Sequence, residues 1–138
     1  MKQFLYKHAV ACALIWATII FILCSTPGQY IPSADWLELL SFDKFVHATM
    51  FFILTSLLFI VAIRYSQKKS VIALYFFLAI LYGGSLEIMQ WLYFSNRSAD
   101  WKDMVANSFG CVVALGCLRK LRGGFEDGEH AKTRRAQS

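Results

Sequence analysis

Four long apolar runs, residues 9–24, 45–63, 71–86 and 104–118, contain no Asp, Glu, Lys or Arg. A stretch that offers water no charge must be buried in a protein core or in lipid, and about 20 such residues in a helix cross the hydrocarbon of a bilayer. The chain has 138 residues, 57% of them hydrophobic and only 17% charged. A soluble domain of this size needs more charge to cover its surface. The 16% aromatic share fits the belts that sit at membrane interfaces. The length suits one domain. The predicted fold is an all-α integral membrane bundle of four transmembrane helices, at about 6–24, 44–63, 70–91 and 101–119, followed by a disordered tail at 123–138.

The first run follows Lys2 and Lys7, as a signal peptide would, but no A-x-A-like cleavage site lies between Ile19 and Gln29. Leu23 precedes Cys24 where a lipoprotein signal needs a small residue, so an uncleaved first span is expected. Ser25-Thr26-Pro27-Gly28 ends it. Residues 33–40, with Asp35, Trp36 and Glu38, suit a short interfacial helix. In the last run Ala106, Gly110 and Ala114 recur every fourth position. That puts small residues on one face, where a helix of this bundle or of a second copy can approach closely. Cys12, Cys24, Cys111 and Cys117 show no metal-type spacing and read as small packing residues. His8 and His130 receive no role.

The net charge of +5 does not point to nucleic acid, because the basic residues sit between apolar runs. Of the 14 Lys and Arg, a four-span chain places only Lys44, Arg97 and Lys102 on the side opposite the termini. The positive-inside rule then makes both termini cytoplasmic. Polar side chains converge on the other, extracytoplasmic side. Asp43, Lys44 and His47 open the second span, Glu87 and Gln90 close the third, and Arg97, Asp100, Asp103 and Asn107 open the fourth. Asp43/His47 and Asp103/Asn107 are i,i+4, while Glu87/Gln90 and Asp100/Asp103 are i,i+3. Each pair shares one helix face. Ionisable groups at membrane depth are costly and need partners or a task.

These blocks, Asp43-Lys44-x-x-His47, Glu87-x-x-Gln90 and Arg97-x-x-Asp100-x-x-Asp103-x-x-x-Asn107-x-x-Gly110, resemble the VanZ-like family of small bacterial membrane proteins. The resemblance spans about residues 25 to 116. Two positions depart from it: Ala48 where an aromatic is usual, and Asn96 where Pro or Gly is common. The resemblance implies a multi-pass protein of the bacterial cytoplasmic membrane. It also implies a link to resistance against glycopeptides, especially lipid-tailed ones such as teicoplanin.

Three tasks fit the cluster. As a recognition site, Lys44 and Arg97 would hold an anionic head group, with Asp43, Gln90, Asp100 and Asn107 in support. The aromatic residues Trp91, Tyr93, Phe94 and Trp101 suit a lipid, a lipid-linked cell-wall precursor or a lipid-tailed antibiotic as partner. As an enzyme acting on a phospholipid or an undecaprenyl-linked substrate, the protein would use His47 and either Glu87 or Asp103 as acid and base. As a structural network, the same groups would pair and fix helix register. A mixed metal shell from Asp43, His47, Glu87 and Asp103 is disfavoured by the cations Lys44 and Arg97, so no metal or cofactor is expected.

Overall fold

The computed structural model describes residues 2–25, 42–66, 68–93 and 101–136, with side chains described in 4–25, 44–66, 68–93, 101–118, 120 and 122. The expected interfacial helix at 33–40 lies outside the described residues, as do Pro27 and Gly28. The described chain is all-α. Helix α1 is Lys2–Lys7, α2 is Ala9–Cys24, α3 is Phe42–Tyr65, α4 is Lys69–Tyr93 and α5 is Trp101–Ala136. Helices α1 and α2 meet at His8, whose backbone is bonded on both sides, His8 N to Phe4 O and Cys12 N to His8 O. Ser25 follows α2 and returns its N–H to Phe21 O.

Interhelical contacts fix the directions. Tyr82 Oη donates to Ala17 O at 2.7 Å and Gln90 Nε2 to Cys24 O at 2.9 Å, so α4 runs parallel to α2. Trp16 Nε1 donates to Met50 O at 3.0 Å, and Arg64 Nη1 to Tyr6 O at 2.9 Å, so α3 runs against α2. His47 meets Asn107 and Thr55 meets Cys111, so α5 runs parallel to α3. The bundle is therefore up-down-up-down. One end gathers the start of α3, the end of α4, the start of α5 and the end of α2.

Helix α3 is the hub. Phe59, Ile60, Val61, Ala62 and Ile63 are buried in succession, as happens only to a helix surrounded by others. Phe51 and Leu54 pack with Ile20, Cys24, Ala79, Leu86 and Cys111, and Phe59 and Ala62 with Ile72 and Ala114. The outer helices turn apolar side chains outward: Leu14, Ile15 and Ile22 on α2, Leu74, Phe77 and Leu81 on α4, Val105, Phe109 and Val112 on α5. Water would oppose such a surface and lipid does not. Two helices, Lys44–Tyr65 and Lys69–Tyr93, are long and apolar enough to cross a membrane. Helix α2 is apolar but has only 16 residues, about 24 Å of rise, short of the hydrocarbon thickness of a bilayer.

Small residues set the α3–α5 contact. Gly110 and Ala114 are buried, and a Cβ at Gly110 would lie 2.1 Å from Ala48 O. The Ala106-Gly110-Ala114 face, which suited an internal contact or a dimer equally, thus packs inside the bundle through Gly110 and Ala114. A Cβ at Gly83 would lie 3.0 Å from the Phe51 ring, so this glycine lets α4 close on α3. The structure differs from expectation at the C-terminus. The last helix does not stop at 119 with a disordered tail at 123–138, but runs on to Ala136. Glu126, Glu129, Ala131, Lys132, Arg134 and Arg135 have good helix propensity. Extending a formed helix needs no second nucleus, so three glycines do not stop it.

Candidate functional site

The polar residues singled out by spacing gather at the end where α3 and α5 begin and α2 and α4 finish. His47 lies one turn beyond Lys44 on α3, and Asn107 one turn beyond Asp103 on α5. Because these helices are parallel and in close contact, the two turns pair directly. His47 Nδ1 lies 3.1 Å from Asn107 Oδ1, with both residues buried. An amide oxygen accepts, so Nδ1 carries the proton, and in the neutral ring the lone pair falls on Nε2. Lys44 Nζ lies 3.9 Å from Asp103 Oδ1, with the lysine side chain 35% exposed and the aspartate 14%. That is a Coulombic contact longer than a hydrogen bond, and solvent at the lysine screens it. Asp103 is the acidic residue in the first turn of α5, where the helix dipole favours a negative charge.

Helix α4 supplies the third side. Glu87 and Gln90, one turn apart, are both buried. Gln90 caps one of the last carbonyls of α2 through its bond to Cys24 O, a group the helix cannot satisfy itself. The floor is apolar: Gly83 faces both the Phe51 ring and the Asn107 Cβ, and Phe51 packs near Tyr82 with ring centroids 6.2 Å apart. Deeper along the α3–α5 seam, Thr55 Oγ1 donates to Cys111 Sγ at 3.2 Å.

Of the predicted site residues, His47, Asn107, Lys44 and Asp103 are brought into pairs, and Glu87 and Gln90 are buried at the same end. Asp43 lies in the first turn of α3, with its side chain outside the described set. Arg97 and Asp100 lie outside the described residues. Among the described residues, no three of His, Cys, Asp or Glu form a group able to hold a metal ion. Spacing overlooked Thr55 and Cys111. The available signal was position: Thr55 lies two turns beyond His47, and Cys111 one turn beyond Asn107, on the same faces.

The arrangement can pin an imidazole in one tautomer, hold a carboxylate beside a half-exposed ammonium, and keep both against a sealed floor. It is reached through the ends of helices whose outer faces are apolar. The VanZ/LLP1 family model matches residues 9–122, which takes in α2, α3, α4 and the paired turns of α5. The chain belongs to the VanZ/LLP1 family. Comparison with curated proteins and with solved structures gave no match. Membership accords with the two membrane-length helices and suggests a cell-envelope membrane protein related to glycopeptide resistance. In this VanZ/LLP1 chain the pattern reads as two layers. His47, Asn107 and Gln90 tie helices together, while Lys44 stands at the rim.

Proposed function

We propose that this VanZ/LLP1 protein crosses the bacterial cytoplasmic membrane four times with both termini cytoplasmic. At the outer leaflet it recognises the anionic head group of a lipid, a lipid-linked wall precursor or a lipid-tailed glycopeptide. The observation that carries this reading is the polar cluster itself. Three helices contribute His47, Asn107, Glu87 and Gln90 as buried groups beneath a half-exposed Lys44, at one end of an otherwise apolar bundle. Groups of this kind at membrane depth usually mark a site. Lys44 and Arg97 supply the cations a phosphate or carboxylate needs.

Orientation has its own test. With Cys12, Cys24, Cys111 and Cys117 replaced, a single cysteine at position 98 in place of Ser98 is expected to react with an impermeant thiol reagent on intact cells. Labelling only after permeabilisation would reverse the topology and move the cluster to the cytoplasmic leaflet.

Recognition is tested by native-lipid mass spectrometry of the gently purified protein. Wild type is expected to retain a phosphate-bearing lipid that Lys44→Ala and Arg97→Ala lose by about tenfold, the scale of one charge-assisted contact. The same lipids in all three proteins would end the head-group reading. A second reading, acid–base turnover, is favoured by the His47–Asn107 bond, which orients a buried imidazole within the polar cluster. In the same experiment His47→Gln separates the two. A binder keeps the lipid unchanged, whereas an enzyme accumulates substrate it no longer converts.

A further inference from the structure

The opposite end of the bundle holds an arginine whose surroundings are unlike those of a structural ion pair. Arg64, in the last turn of α3, is about 30 Å from Lys44 by helical rise. Its Nη1 donates to two backbone carbonyls, Tyr6 O and Lys7 O, where α1 gives way to α2. Its Cζ lies 5.8 Å from the centroid of the Tyr6 ring and 5.1 Å from that of Tyr65. Guanidinium stacks on aromatic faces, and its planar fork is held with little loss of freedom when one edge is already bonded. The carboxylates whose side chains are described, Glu87 and Asp103, both lie at the other end. Around Arg64 the neighbours in sequence and in the bundle are instead cations: Lys7, Lys68 and Lys69 are exposed. Phe4 and Tyr65 are exposed as well, at 64% and 65%, beside the apolar faces of the spans.

We propose that Arg64 is the anchor of a second lipid site, which binds the phosphate of an anionic phospholipid at the basic end of the bundle. Nη1 fixes the guanidinium to the α1–α2 junction. The fork formed by Nε and Nη2 takes two phosphate oxygens side by side, which an ammonium cannot match. Lys7, Lys68 and Lys69 supply the attraction that favours anionic over zwitterionic lipid. Phe4, Tyr6 and Tyr65 are amphipathic or apolar rings of the kind that sit at head-group depth. An aqueous phosphate would need no such rings, which is why a lipid is the fitting occupant. The site needs only that the helices span, whichever way round, and it is independent of the cluster at the other end.

The test uses the full-length protein in detergent, titrated with phosphatidylglycerol and with phosphatidylethanolamine and read by native mass spectrometry. Wild type is expected to favour phosphatidylglycerol by about tenfold, and Arg64→Lys to lose most of that preference although the net charge is unchanged. Lys102→Ala, which removes an exposed charge at the far end, is expected to keep it. Preference retained in Arg64→Lys would assign the effect to diffuse surface charge, and preference lost in Lys102→Ala would assign it to the other end. Either outcome overturns the proposal. A measurement on wild type alone removes any dependence on how the variant folds. Phenylglyoxal labelling of Arg64, read by peptide mass spectrometry, is expected to slow several-fold in phosphatidylglycerol vesicles relative to phosphatidylcholine vesicles. Equal labelling, or equal protection by millimolar inorganic phosphate in the neutral vesicles, would overturn the lipid assignment.

Discussion

Gly110→Ala is expected to destabilise the bundle by about 3 kcal/mol or more, the upper range for overpacking a tight interior. The added methyl would sit 2.1 Å from Ala48 O, 2.9 Å from Ala48 C and 2.9 Å from Phe52 N. All three are backbone atoms, so no side chain can swing aside. The remaining response is to push α5 from α3, which strains the His47–Asn107 and Thr55–Cys111 bonds together. The control is Gly116→Ala on the same helix, where a Cβ meets nothing within 4 Å. There the gain in helix propensity predicts a neutral or stabilising change of about 0.5–1 kcal/mol. Thermal unfolding in detergent of both variants decides the matter, and Cys111, buried in wild type, should become reactive to thiol reagents only in Gly110→Ala. If the two variants melt alike, the close approach of α3 and α5 is not what holds the site.

The same glycine shows what the sequence could and could not reveal. The Ala106-Gly110-Ala114 spacing announced a close helix contact, but period alone does not name the partner helix. Choosing α3 required the parallel direction of α5, which long-range contacts impose. The polar end was more legible. Asp103 and Asn107 at i,i+4, and Glu87 and Gln90 at i,i+3, predicted single-face pairs, and the structure buries Asn107, Glu87 and Gln90 at one end. The pairings themselves, Lys44 with Asp103 and His47 with Asn107, were not written in any local pattern, since each joins residues 59 or 60 positions apart. Thr55–Cys111 escaped for a related reason: within apolar runs both residues look like filler, and only the seam between two particular helices makes them partners. At the C-terminus glycine and charge predict disorder, while propagation from a packed helix follows a different balance.

Asn107→Ala is expected to cost about 1–3 kcal/mol, the price of leaving a buried N–H without its acceptor. His47 and Asn107 are 6% and 3% exposed, so water does not readily replace the amide. Interhelical hydrogen bonds in membranes average nearer 0.6 kcal/mol, because the unfolded helices also find partners in lipid. Here two facts favour the higher value. The imidazole loses its own acceptor, and the hole opens beside Gly83, which has no side chain to fill it. In a His47→Ala background the same substitution should cost much less, and the difference between the two costs isolates the pair. Head-group retention measured on the same proteins then separates recognition from register. If the bond serves recognition, by holding Lys44 in place one turn away, Asn107→Ala loses retained lipid even at temperatures where it remains folded. If the bond serves only register, stability falls and the retained lipid stays as in wild type. A coupling near zero would remove His47–Asn107 from both accounts and shift the weight to Lys44 and Asp103.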